Sequence, residues 1–173
     1  MARTTAVPRT LKLLRGEGFV VDVAEAYNAF SGQRKDLFGW MDLVAYCDQY
    51  TVGVQVCGTD VSEHVRKMMG ERKELIESWL RGPFREAILI GWRKVLKKRG
   101  GVQKVFKPRI FHFYLDPFCS GTLQYRELKD VEGTTIREIV AGADERRPSH
   151  AAEESHQPLC QQEAGATERE QVV

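Results

Sequence analysis

The run GWMDLVAYCDQYTVGVQVCGTD, Gly39 to Asp60, holds two apolar stretches of strand length separated by a polar turn. In the first, around Gly39–Tyr46, strand alternation puts Trp40, Asp42, Val44 and Tyr46 on one face and Met41, Leu43 and Ala45 on the other. In the second, Thr51–Cys57, Gln55 and Cys57 oppose Val52, Val54 and Val56. The short link Cys47–Tyr50 makes the two antiparallel neighbours. Upstream, FVVDVAEAY alternates as a third strand, with Val21, Val23, Glu25 and Tyr27 on one side, and the polar loop NAFSGQRKD joins it to the pair. A helix over Pro8–Arg15 precedes it, closed by Gly16 and Gly18.

Downstream, a long helix runs from Asp60 to Gly82-Pro83, with Asp60 and Glu63 spaced as a capping box. Val61, Val65, Met68, Leu75 and Trp79 form its apolar stripe. The run Ala87–Trp92 is apolar on both faces, as a buried strand reached by a helical crossover should be. Gly100-Gly101 is a turn between Val95–Arg99 and Val102–Lys107, and Arg109–Leu115 is a last strand. From Asp116 to Gly142 the pattern is weak, with TIREIV the best helix candidate. The order α-β-β-β-α-β with an added basic hairpin gives an α/β class with a mixed central sheet.

A chain of 173 residues, 42% hydrophobic and 29% charged, suits one globular domain. A core over 1–118, a short extension over 119–142 and a disordered acidic tail over 143–173 are expected. The tail holds seven acids against three bases and almost no large apolar residues. The remainder keeps 23 of the 26 bases and 17 of the 24 acids, a basic balance that favours a polyanionic partner. Neither a membrane-length apolar run nor a secretory signal core is present, so a cytoplasmic protein that avoids membranes is expected. Cys47, Cys57, Cys119 and Cys160 form no CxxC pair and read as thiols, and His64 and His112 lack companions at ligand spacing.

A carboxylate inside WMDLVAY must meet water, a cation or a hydrogen-bond donor. If the two strands pair in the obvious register, Asp42 and Gln55 reach one divalent ion, and the carbonyl of Val56 supplies a third oxygen. Such hard ligands suit Mg2+ or Mn2+. The plainer alternatives are Asp42 paired with Arg34 or Lys35, and Gln55 hydrogen-bonded across the sheet.

The runs RKDLFGWMDLVAY, VGVQVCGTDVSEHVRKM and ILIGWRK resemble the PD-(D/E)xK nuclease superfamily, in its Holliday junction resolvase-like branch of phage and bacterial proteins. The resemblance covers roughly residues 8–115 and implies a restriction endonuclease-like core and magnesium-dependent cleavage of DNA. On it, Asp42 matches the second-strand acid, Gln55 the (D/E) position and Glu25 an additional acidic position. Cys57 stands where the signature lysine belongs. Three readings follow: a cation supplied by Lys67 or Lys35, a protein that binds DNA with little or no cleavage, or a structural role. The resemblance also implies a bacterial or phage-infected host cytoplasm and a homodimer, since two strands must be cut.

Arg93, Lys94, Lys97, Lys98, Arg99 and Lys104 cluster on the hairpin with Lys107 and Arg109, and Gln33, Arg34 and Lys35 precede the second strand. They are candidate DNA phosphate contacts, the alternative being a solubilising surface.

Overall fold

The computed structural model describes residues 6–24, 26–28, 33–48, 50–118, 121–128 and 135–141. Its elements are α1 (Ala6–Gly16), β1 (Val20–Val23), β2 (Ala26–Asn28), β3 (Gln33–Lys35), β4 (Leu43–Cys47), β5 (Tyr50–Cys57), α2 (Val61–Met69), α3 (Lys73–Leu80), β6 (Arg85–Leu96), β7 (Lys104–Asp116), β8 (Thr122–Leu128) and α4 (Ile136–Ala141). The six-stranded sheet runs β1-β4-β5-β6-β7-β8. Among the described residues only β5 and β6 pair in parallel, and the chain between them is helical, as a crossover requires. The class is therefore α/β with a mixed sheet, and the expected antiparallel trio is β1, β4 and β5.

Each sheet face carries its own core. Leu43, Ala45, Val52, Val54, Val56, Ile88 and Ile90 pack with Leu14 of α1 and with Ile136 and Val140 of α4. On the other face Cys57, Leu89, Phe111 and Phe113 lie against Val61, Val65 and Met68 of α2 and Ile76 and Leu80 of α3. The helices are pinned by indoles: Trp92 Nε1 donates to Thr10 Oγ1 of α1 at 2.9 Å, and Trp79 Nε1 of α3 donates to the Glu86 carbonyl at 2.9 Å.

Several expectations are corrected. The single helix is two, broken at Gly70, whose φ of −111° and ψ of −96° leave the helical region. The break turns α3 so that Ile76 and Leu80 face the sheet, while Leu75 stays 47% exposed. The capping box does not form, because Asp60 makes no side-chain cap bond and Glu63 pairs with Lys67 at 2.8 Å. The first strand ends at Val23, and part of the following loop is the β2-β3 hairpin. The basic hairpin is not a separate unit. It is the far end of β6 and β7, with Gly100 at the turn in a left-handed conformation (φ 78°).

The described parts of the expected extension, 121–128 and 135–141, join the fold. β8 pairs with β7 from Asp116↔Thr122 to Ile110↔Leu128. Glu17 accepts the Ile136 N–H at 2.6 Å, and Arg137 is bonded to Asp48, so α4 is held against α1 and the β4-β5 turn. Residues 143–173, expected to be a disordered acidic tail, lie outside the described residues.

Candidate functional site

Asp42 occupies a bend directly before β4, where backbone bonds hold it from both sides. Its N–H donates to the Val54 carbonyl at 3.0 Å, and its carbonyl accepts the Ala24 N–H at 2.9 Å. The turn before it contains Gly39 at φ 75° and closes on a Leu37↔Met41 bridge. That turn ends the expected alternation: Trp40 and Met41 do not take opposite faces but both join the core beneath α2 and α3. They pass directly over Gly53 of β5, where a Cβ would lie 2.7 Å from Met41 Cε and closer still to Trp40 Cη2. A side chain at position 53 would therefore displace the turn that aims Asp42.

Thus aimed, the carboxylate meets β5. Asp42 Oδ2 accepts a hydrogen bond from Gln55 Nε2 and another, at 2.7 Å, from the Val56 N–H. Both side chains are buried, at 5% and 6% exposure. The two donors offset part of the desolvation of a carboxylate placed there. Of the expected metal-facing trio, Asp42 and Gln55 are in direct contact. Val56 meets Asp42 through its N–H.

Cys57 is buried two residues beyond Gln55 on the same face. Burial, then the nearby negative charges of Asp42 and Asp60, push its thiol up to about 12, and Arg109 only partly offsets them. At neutral pH it is a protonated thiol, without the charge of the signature lysine. Because its folded pKa lies above the unfolded value of 9.0, it adds stability that is full below pH 9 and is lost as pH rises toward 12. Urea denaturation of Cys57→Ala should accordingly show a shallower fall in stability over that range than the wild type.

The remaining sequence candidates lie elsewhere. Lys67 Nζ is bonded to Glu63 on the outer face of α2, with its side chain 41% exposed. Lys35, Gln33 and Arg34 form β3, with Arg34 opposite Tyr27, and their side chains lie outside what the structure describes. Glu25 also lies outside the described residues. Arg93, Lys94, Lys97, Lys98, Arg99 and Lys104 are all exposed at the far end of β6 and β7.

Two charged residues acquire an unforeseen relation to the site. Asp60, which reads as a helix cap, is near enough to Cys57 to raise its pKa. Arg109, which reads as part of the basic hairpin, lies opposite Gly91, itself opposite Cys57 on β5. With no side chain at Gly91, Val61 packs directly onto it beside the thiol, its Cγ2 within clashing distance of where a Cβ would stand, and Arg109 bears on Cys57 through its charge. Arg109 is held by Glu127 through a two-pronged pair of 2.6 and 2.9 Å. Register counting across three strands would have revealed it.

Among the described residues no three His, Cys, Asp or Glu side chains are grouped to hold a metal ion. An ion held at this site would take Asp42 and Gln55 as two of its oxygen ligands and the rest of its shell from water or phosphate. The glutamine would turn its amide to present Oε1 in place of Nε2. No family model, curated protein or solved structure matches the chain. Among the described residues no helix is long and apolar enough to cross a membrane.

Proposed function

We propose that this protein is a magnesium-dependent DNA endonuclease that hydrolyses phosphodiesters of double-stranded or branched DNA. The observation that carries the proposal is the buried contact between Asp42 and Gln55, the carboxylate and amide of the superfamily pattern, on neighbouring segments of a mixed sheet. The element order around them, a helix, three antiparallel strands, a helical crossover and a parallel strand, agrees with the restriction endonuclease-like core that the resemblance implies.

Asp42 and Gln55 would hold the magnesium or manganese ion, which when bound supplies an activated water and neutralises phosphate charge. Asp42 remains oriented by the Val56 N–H, which holds one of its oxygens. The exposed bases of β6 and β7 would contact DNA phosphates, and two copies of the chain would serve the two strands of a duplex.

A second reading, DNA binding without catalysis, is favoured by the site's own electrostatics. The Cys57 thiol stays neutral and Lys67 is engaged by Glu63, so neither supplies the signature cation in this arrangement. The test is incubation of plasmid and four-way-junction DNA with the wild type, Asp42→Ala and Cys57→Lys in magnesium or manganese. Cleavage by the wild type that is lost in Asp42→Ala supports the endonuclease. Equal cleavage by those two proteins ends the catalytic assignment. Cleavage only by Cys57→Lys supports the binding protein.

A further inference from the structure

β6 and β7 outrun the sheet that contains them. β5 leaves β6 after Cys57↔Gly91, and the described pairing of β8 with β7 ends at Ile110↔Leu128. Among the described residues the pairs Arg93↔Lys107, Lys94↔Phe106, Val95↔Val105 and Leu96↔Lys104 have no further strand beside them. With the turn that follows, this two-stranded ribbon projects about 20 Å at a strand rise of about 3.3 Å per residue.

Its charge is one-sided in sign and two-sided in space. From Ala87 to Leu115 the chain has eight Lys and Arg and no Asp or Glu. Strand alternation puts Arg93 and Lys107 on one face of the ribbon and Lys94 and Lys104 on the other. Arg9 of α1 joins the second face, its guanidinium 3.5 Å over the Phe106 ring. Arg93 and Lys107 are direct cross-strand partners, and like charges so placed weaken a strand pair. Core packing does not impose this arrangement, since Arg93, Lys94, Lys104 and Lys107 are all exposed.

A ribbon laid on a flat anionic surface, or along one strand of nucleic acid, uses bases on a single face. Bases on both faces match two anionic walls with the ribbon between them. The major groove of duplex DNA, about 12 Å wide, has such walls and admits a two-stranded ribbon. We infer that the β6-β7 ribbon enters the major groove of duplex DNA, its two basic faces each contacting one phosphate backbone. This inference rests on the DNA-directed function proposed above and adds the form of the substrate and the mode of docking.

The full chain is tested in EDTA by fluorescence anisotropy with a random-sequence 24-base-pair duplex, and with a single strand of the same length, over a salt series. The duplex should bind at least about tenfold more tightly than the single strand. Arg93→Ala with Lys107→Ala, and separately Lys94→Ala with Lys104→Ala, should each weaken duplex binding about tenfold. Each pair should also lower the slope of log affinity against log salt by about 2. Unchanged melting temperatures would confirm that both double variants are folded. If either pair leaves duplex affinity and slope unchanged, or the single strand binds as tightly, the groove-docked ribbon is refuted while DNA binding stands. Competition by phosphatidylserine vesicles as effective as that by duplex would assign the ribbon to anionic membrane instead. If the wild type binds neither nucleic acid, the DNA-directed function itself fails.

Discussion

Replacing Gly53 with alanine should lower the unfolding free energy by about 1–3 kcal/mol, the usual cost of overpacking a filled core. In a chain of this size that corresponds to a fall of several degrees in melting temperature. The added methyl would run into Trp40 and Met41, at 1% and 0% exposure, so neither can move into solvent to make room. Both belong to the turn that delivers Asp42, and yielding there shifts the carboxylate relative to Gln55. Thermal melts should therefore show destabilisation, and cleavage assays well below the melting transition should show reduced activity in the folded variant. Gly53→Ala with a wild-type melting temperature would mean that the turn does not clamp over β5 as described.

The second large effect is expected at Asp42. Asp42→Asn keeps the size of the side chain and an oxygen that can accept from the Val56 N–H, but removes the negative charge. Asp42→Ala removes every acceptor and leaves two buried donors, Gln55 Nε2 and the Val56 N–H, without their shared partner. Chemical denaturation should therefore find Asp42→Ala weaker than wild type by about 2–4 kcal/mol, and Asp42→Asn much closer to it. The metal-dependent cleavage proposed above should fall at least about 100-fold in both. That split separates a carboxylate needed for charge from one needed for folding. An asparagine variant that cleaves as fast as wild type would show that the site does not depend on the carboxylate.

Much of the sheet is legible because a strand with one buried face alternates, and a strand buried on both faces reads as an unbroken apolar run. Leu43, Ala45, Val52, Val54 and Val56 read as one face and lie on one face. The helical crossover was harder for a geometrical reason. Leu75 with Trp79 and Ile76 with Leu80 are both apolar pairs four residues apart, so periodicity alone does not choose between them. The break at Gly70 chooses, and it depends on how α2 and α3 seat against the sheet. In the sequence the ribbon reads as a separate hairpin because an apolar pattern ends where neighbouring strands end, even when the backbone continues.

At the site, the register of two adjacent strands was enough to bring Asp42 and Gln55 together. It was not enough to place the Val56 N–H on the carboxylate, since main-chain donors leave no mark in the order of residue types. Nor did it show that Asp60 bears on Cys57, because that proximity arises from how the chain leaves β5 and enters α2. Lys67 illustrates the same limit from the other side. Its spacing from Glu63 permits a bond along the helix, and that is the bond the structure contains.

The docking of α4 determines how far the polypeptide can be shortened from its C-terminal end. Ile136 and Val140 are completely covered, and the Glu17 carboxylate caps the first of them. A gene ending after codon 141 retains these anchors. One ending after codon 128 strips the apolar lid from α1 and leaves Glu17 without that amide, so its product should melt earlier and bind hydrophobic dyes that the longer product ignores.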